Sequence, residues 1–147
     1  MRLRNVTGSR EVIAGSRFVV PEEEQKECPG NWRDIFGNQN PLYIEIGMGK
    51  GKFIHTMAKE NPQINFVGIE KYSTVLLRAV QKMEQEELPN LKFLRMDAEE
   101  ITEVFGNGEV DRIYESVTFK FPFIRCRRHA RVFLFNPHFL SARRVKK

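Results

Sequence analysis

The chain has 147 residues, 41% of them apolar and 29% charged, with a formal net charge of +5 at neutral pH. This length and composition predict one folded domain with its own core and exclude a disordered chain. Two cysteines exclude a disulfide framework. No apolar run approaches the roughly 20 residues of a membrane-spanning helix. Because the basic N-terminus has no apolar segment behind it, we expect no secretory signal and a cytoplasmic protein.

The positive charge is concentrated at the carboxyl end. Nine Lys or Arg residues and no acidic residue occur from Ser116 onward, so the preceding residues together are net acidic. A basic end on an acidic body predicts a polyanionic partner, most often nucleic acid. A solubilising tail explains this charge distribution equally well.

In chain order, residues 1–40 predict an irregular polar N-terminal arm, because turn-like stretches such as CPGNW and FGNQNP interrupt them. From Leu42 onward, strands alternate with helices. The predicted strands are LYIEIG, INFVGIE, LKFLRMD and EVDRIYES, and the predicted helices are KFIHTMAKE, STVLLRAVQKMEQEE and EEITEVF. Ser73 is the expected N-cap of the second helix. This alternation across short loops predicts the α/β class with a doubly wound, mostly parallel sheet.

Three glycines follow the first strand, in YIEIGMGKGKF. Gly47, Gly49 and Gly51 occupy the turn into the first helix, where missing side chains let a ligand approach the backbone. The spacing is G-x-G-x-G rather than the G-x-G-x-x-G of dinucleotide binders. We therefore assign the three glycines to a cofactor site.

Acidic residues stand at or near the ends of the first three strands. Glu45 lies beside the glycine turn and can hold a cationic amino group, directly or through water. Glu70 ends the second strand and can accept both ribose hydroxyls, whereas Asp97 ends the third and suits an exocyclic adenine amine. Three acids without a phosphate-binding lysine motif favour S-adenosylmethionine over NAD, whose pyrophosphate they would repel. As an alternative, Glu70 and Asp97 are ordinary strand-end acids that cap the next helices.

At this point the sequence resembles a known family. The stretches MRLRNVTGSREVIA, NPLYIEIGMGKGKFI, MAKENPQINFVGIEKYSTVLLRAVQK and GEVDRIY are similar to bacterial tRNA (guanine-N7-)-methyltransferases. The resemblance covers residues 1–114 and is looser over residues 18–28. It implies a Rossmann-like, S-adenosylmethionine-dependent methyltransferase fold that methylates guanine N7 in the tRNA variable loop. By motif match it implies that Glu45, Glu70 and Asp97 are the cofactor acids.

After Tyr114 the chain departs from the family pattern. The family continues with Leu-Asn-Phe-Ser-Asp-Pro-Trp-Pro-Lys-Lys-Arg-His, and its Asp is the proposed catalytic residue. This chain reads ESVTFKFPFIRCRRHA, and no Asp follows Asp111, so the catalytic role is assigned to no residue. RRHA resembles the later Lys-Arg-His of the family. The candidate tRNA-binding residues are therefore Arg127, Arg128, His129 and Arg131.

These observations divide the chain into an N-terminal arm (1–40), a cofactor-binding half (41–115) and a basic, divergent segment (116–147). We expect the fold to be C-terminally incomplete, with the fourth strand lacking a neighbour and leaving an apolar edge open. Two alternatives to the enzyme remain: a non-catalytic nucleic-acid-binding module, or an inactive cofactor-binding fragment. The sequence does not decide between a monomer and a homodimer.

Two residue types outside these motifs can suggest other sites. The three histidines and two cysteines do not form a complete set of ligands at metal-binding spacing, so we predict no metal site. His55 is expected to be a surface or packing residue. Trp32 can stack on a nucleic-acid base, but core packing is the favoured interpretation.

Overall fold

The computed structural model describes residues 6–115 and 133–134. Within these residues, no helix is long and apolar enough to cross a membrane. The basic segment 116–147 lies outside the described residues, apart from the backbone of one short strand.

A five-stranded parallel sheet forms the centre of the fold. Its strands are β1 (Leu42–Ile46), β2 (Asn65–Glu70), β3 (Leu91–Arg95), β4 (Arg112–Glu115) and β5 (Phe133–Leu134). They lie in the order β3-β2-β1-β4-β5, and every neighbouring pair is parallel. The predicted doubly wound α/β sheet is therefore confirmed. The expectation that β4 would lack a neighbour was wrong, because β5 pairs with it through Tyr114 and Glu115.

Helices connect the strands as predicted, with small shifts in their bounds. The α-helices are α1 (Ser9–Ala14), α2 (Trp32–Phe36), α3 (Lys52–Glu60) and α4 (Ser73–Gln85), and two 3₁₀ helices cover Glu22–Glu27 and Ala98–Glu103. Tyr72, not Ser73, occupies the N-cap of α4, and within the described residues its side chain makes no capping bond. The Ser73 hydroxyl instead accepts a hydrogen bond from Ser9 at 3.2 Å. A contact with the N-terminal arm therefore replaces the predicted cap.

The core has two apolar layers, one on each face of the sheet. Strand alternation sends Ile44 and Ile46 of β1 to one face, where they pack with Trp32 and the second 3₁₀ helix. The opposite layer joins β2 and β3 to α3 and α4 through side chains such as Phe66 and Leu76. Helices cover both faces of the sheet. A ligand can therefore approach the sheet at the two ends of its strands.

The N-terminal arm is more regular and more buried than the sequence predicted. It contains two α-helices and a 3₁₀ helix. Trp32 is 1% exposed, stacks on Phe105 with ring centroids 5.0 Å apart, and donates its indole N–H to the Val104 carbonyl. The backbone at Phe18 runs along β3, accepting a hydrogen bond from the Phe93 N–H at 2.8 Å. The prediction of an irregular arm was therefore wrong, while the core role favoured for Trp32 was right.

Candidate functional site

The glycine turn lies between β1 and α3, at the carboxyl edge of the sheet. Gly47, Gly49 and Gly51 have φ angles of 69°, 61° and 77°, in the left-handed region that side-chain-bearing residues rarely adopt. Three such angles within five residues fold the chain sharply at the end of the strand. The turn therefore requires glycine for its own conformation, apart from any ligand.

Glu70, the last residue of β2, is hydrogen-bonded to this turn. Its Oε2 accepts a hydrogen bond from the Gly49 N–H at 3.1 Å, and its Oε1 accepts one from the Tyr72 N–H at 3.0 Å. A carboxylate has about four lone-pair sites, so each oxygen can accept one more donor. Two predicted cofactor residues are thus in direct contact, and Glu70 keeps acceptor capacity for a ligand hydroxyl.

Glu45 is buried in the middle of the sheet. It is 2% exposed and lies between Gly68 of β2 and Tyr114 of β4. Its Oε2 is buried and has no hydrogen-bond partner among the described residues. Burial, and to a lesser extent the nearby charge of Glu70, raises the pKa of Glu45 to about 8. Burial of this carboxyl group costs free energy, and no cation among the described residues offsets that cost.

Asp97 follows β3 and forms an ion pair in the same region. Its Oδ2 lies 2.7 Å from the Lys71 Nζ, and its Oδ1 accepts a hydrogen bond from the Glu99 N–H at 3.1 Å. The hydrogen bond from Lys71 is the main cause that lowers the pKa of Asp97. Because the Lys71 side chain is 60% exposed, the pair contributes little to stability. Asp97 therefore does cap the following 3₁₀ helix, as the alternative interpretation held, while remaining open to solvent.

A cleft of about 400 Å³ adjoins Asp97. Its walls come from β3, the second 3₁₀ helix and the N-terminal arm, which contributes Glu22, Gln25 and Lys26. Gln25 is anchored there by hydrogen bonds from its amide to the Val20 and Arg95 carbonyls, both 3.4 Å long. The arm and the predicted cofactor half therefore line this cleft together, and of the predicted cofactor residues only Asp97 lines it.

Sequence reasoning missed two charged residues at this edge. Lys71 pairs with Asp97. Its position directly after Glu70, at the end of β2, is the sequence signal that could have identified it. Glu115 ends β4 in the same way that Glu70 ends β2. The pattern of a strand followed by an acid could have singled it out with the other acids.

Other predicted site residues fall elsewhere. Arg127, Arg128, His129 and Arg131 lie outside the described residues. His55 is buried, and its Nε2 lies 3.0 Å from the Glu86 carbonyl oxygen, which is a packing role. Over the part of the chain that the structure describes, no group of three or more His, Cys, Asp or Glu side chains could hold a metal ion.

A family model described as "Putative methyltransferase" matches residues 39–146. The chain belongs to this methyltransferase family. The matched range includes the segment after Tyr114, where the motif-by-motif resemblance is lost. The matched range therefore includes the glycine turn, its acids and most of the basic segment.

Two curated relatives of the chain carry the same enzyme name. A tRNA (guanine-N(7)-)-methyltransferase of Lachnoclostridium phytofermentans is 60% identical over 114 residues, which are 78% of this chain and 52% of the relative. The protein of the same name from Bacillus cytotoxicus is 43% identical over 132 residues, which are 89% of this chain and 58% of the relative. The chain thus spans somewhat more than half the length of these relatives.

Solved structures share the fold at low sequence identity. An antibiotic-related methyltransferase matches with a TM-score of 0.53 and 21% identity, over 62% of this chain and 47% of that one. The aminoglycoside resistance methyltransferase NpmB1 matches with a TM-score of 0.52 and 20% identity, over 61% and 45%. These likenesses support the Rossmann-like methyltransferase fold of the described sheet.

Proposed function

We propose that this chain binds S-adenosylmethionine at the glycine turn and transfers its methyl group to guanine N7 in the variable loop of tRNA. The observation that carries the proposal is the buried Oε2 of Glu45, beside Glu70 and the glycine turn, which has no partner among the described residues. Two carboxylates placed so close together in a buried region favour a cationic ligand, which relieves both their desolvation and their mutual repulsion.

The donor set fits S-adenosylmethionine. Glu45 would hold the cationic end of the ligand, where the α-amino group and the sulfonium carry positive charge. Glu70 keeps lone pairs for the ribose hydroxyls, and Asp97 has a partly exposed carboxylate for the adenine amine. Gly49 leaves the backbone approachable beside Glu70, because no atom of the described residues would lie within 4 Å of a Cβ added there. A pyrophosphate-bearing cofactor would instead meet three carboxylates.

The bound cofactor supplies an electrophilic methyl group on a positively charged sulfur. Guanine N7 carries an available lone pair and loses no proton when it takes the methyl group, as the carbon–sulfur bond breaks. This chain is therefore required to align and hold the two reactants rather than to supply a strong base. The acids at the glycine turn would hold the cofactor.

The tRNA substrate is inferred from the relatives and the charge distribution. The relatives at 43–60% identity carry the name tRNA (guanine-N(7)-)-methyltransferase. The basic segment with Arg127, Arg128, His129 and Arg131 offers cations for the tRNA phosphates, with salt-sensitive affinity. A tRNA substrate also accords with the cytoplasmic location expected from the sequence.

Isothermal titration of the folded chain with S-adenosylmethionine tests the first half of the proposal. We expect saturable binding that Glu45→Gln weakens and that substitution of the exposed Glu60, at the end of α3, leaves unchanged. Folded protein that shows no binding would remove the cofactor assignment.

Incubation of unmodified tRNA with labelled cofactor tests the second half. Nucleoside mass spectrometry should detect N7-methylguanosine, and a transcript with adenine in place of the acceptor guanine should remain unlabelled. Cofactor binding without any transfer would favour the alternative of an inactive cofactor-binding fragment.

A further inference from the structure

One buried acid at the carboxyl edge has no role in cofactor binding as proposed above. Glu115 is the last residue of β4 and pairs in register with Ile46, the residue that precedes Gly47. The strand order reverses between β1 and β4, since β2 and β3 lie on one side of β1 and β4 and β5 on the other. In open parallel sheets, this switch point is where ligands bind.

The Glu115 side chain is buried at the end of β4. The residue is 4% exposed, and its Oε1 is buried with no hydrogen-bond partner among them. Burial raises the pKa of this carboxyl group. Such a group costs stability unless donors satisfy it. The pairing of β4 does not require an acid at this position, because it uses backbone groups.

Glu115 is also separate from the cofactor acids. In the register, Glu45 pairs with Tyr114, and Ile46 pairs with Glu115. Side chains of paired residues lie on one face of a parallel sheet, and successive side chains alternate. Glu45 and Glu115 therefore emerge on opposite faces, at the same end of two adjacent strands. The two carboxyl groups therefore approach the switch point from opposite faces of the sheet.

We infer that Glu115 orients the acceptor guanine by accepting hydrogen bonds from its N1–H and exocyclic amine. This inference rests on the proposed function. Guanine presents N7 and O6 as acceptors on one edge and carries its N–H donors on another. A carboxylate that binds the donor edge leaves the N7 lone pair free to face the methyl group. It also distinguishes guanine from adenine, which offers no donor at either position.

The test compares tRNA carrying guanosine with the same tRNA carrying inosine at the acceptor position, under single-turnover conditions with saturating cofactor. Inosine keeps N7 and N1–H but lacks the exocyclic amine. We expect the native chain to methylate inosine roughly 10- to 100-fold more slowly than guanosine, as for one lost hydrogen bond to a charged group. Glu115→Gln should slow methylation of guanosine and nearly abolish the difference between the two substrates, while cofactor affinity stays unchanged.

Asp111→Asn is the matched control. It makes the same change from acid to amide directly before β4, at the opposite end of that strand, where Asp111 accepts a hydrogen bond from the Leu42 N–H at 2.9 Å. This variant should discriminate against inosine as the native chain does.

Glu115→Leu adds a readout that is independent of activity. If the carboxyl group is kept for a ligand, its replacement by an apolar side chain should raise the thermal midpoint while it abolishes guanine discrimination. A lower midpoint together with intact discrimination would assign Glu115 a structural role and overturn the inference. Native chain that binds the cofactor but methylates no tRNA would overturn the proposed function itself, and the inference with it.

Discussion

Gly51 and Ala79 hold the start of α3 directly against α4. A Cβ atom placed on Gly51 would lie 2.8 Å from the Ala79 Cβ, closer than two such carbons pack. Gly51 also has a φ angle of 77°. Glycine is therefore required at this end of the turn for backbone conformation and for helix packing, and both requirements position the candidate cofactor site.

Gly51→Ala should destabilise the fold by about 2–4 kcal/mol, through backbone strain and overpacking against α4. Adding Ala79→Gly removes the opposing carbon and should recover part of that loss. Urea unfolding of the two single variants and the double variant measures the coupling between the sites.

Gly108→Ala is the control for Gly51→Ala. Gly108 has a φ angle of 72°, and no atom of the described residues would lie within 4 Å of a Cβ added there. The variant reports backbone strain alone and should cost only about 1–2 kcal/mol. Equal losses at Gly51 and Gly108, with no rescue by Ala79→Gly, would show that packing against α4 is not important.

Binding of S-adenosylmethionine should strengthen as pH rises towards 8. The pKa of Glu45 is raised to about 8, chiefly by burial, so at pH 6 the carboxyl group is protonated and cannot pair with a cation. We expect affinity to rise by up to about tenfold per pH unit below that pKa and to level off above it. Titration calorimetry between pH 6 and 9 measures this rise.

Glu45→Gln supplies the comparison for the pH experiment. The amide has nearly the same shape and does not titrate, so this variant should bind more weakly at high pH, with a nearly flat profile. A flat profile in the native chain, or an unchanged profile in the variant, would contradict the role assigned to Glu45.

Stability should depend on pH in the opposite direction from binding. An unfolded Glu titrates near pH 4.5, whereas Glu45 in the folded chain titrates near 8. Between these values the folded state binds the extra proton. The free energy of unfolding contributed by Glu45 is therefore complete below pH 4.5 and falls by up to about 1.4 kcal/mol per pH unit until pH 8.

Thermal unfolding of the native chain and of Glu45→Gln, followed from pH 5 to pH 9 without ligand, measures this contribution. The difference between the two midpoints should shift in favour of the variant as pH rises and should stop changing above pH 8. A difference that is independent of pH would mean that Glu45 is ionised throughout.

Glu109 ties the N-terminal arm to the loop before β4. Its Oε2 accepts hydrogen bonds from the N–H groups of Gly30 at 2.9 Å and Gly106 at 2.8 Å, and its Oε1 accepts one from Trp32 at 3.1 Å. Glu109→Ala leaves these donors without their acceptor and should cost about 2–4 kcal/mol.

Trp32 is the one tryptophan in the chain, so its fluorescence reports directly on this contact. In Glu109→Ala, a red shift at low denaturant should precede the loss of helical circular dichroism, because the arm detaches first. Glu103→Ala, at the end of the second 3₁₀ helix, is the control and should leave the spectrum unchanged. Coincident transitions in Glu109→Ala would show that the arm and the sheet unfold as one unit.

Much of the site was predictable because it depends on local order along the chain. The glycine turn, Glu70 and Asp97 each lie at the end of a strand, and parallel strands bring their carboxyl ends to one edge. Their shared location therefore follows from the strand pattern alone. The Glu70 bond to the Gly49 N–H was not predictable, since it depends on the precise distance between two strand ends.

The wrong predictions for Ser73 and for the N-terminal arm have a common physical origin. Ser73 looked like a helix cap, but its hydroxyl bonds to Ser9 of the arm, so a contact distant in sequence replaced the local one. The arm looked irregular because its apolar residues have no regular period. Trp32 becomes part of the core only when Phe105 and Val104 lie beneath it.

By itself, the sequence determined the α/β class, the parallel arrangement of the strands in the cofactor half and the family to which the chain belongs. These depend on periodicity and motif spacing, which are local properties. Only the tertiary structure decided which charges are compensated. Glu70 and Asp97 have donors, whereas Glu45 and Glu115 each keep one buried oxygen that no described residue satisfies. Burial and hydrogen bonding arise from segments distant in sequence, so the energetic state of each acid is a property of the folded chain.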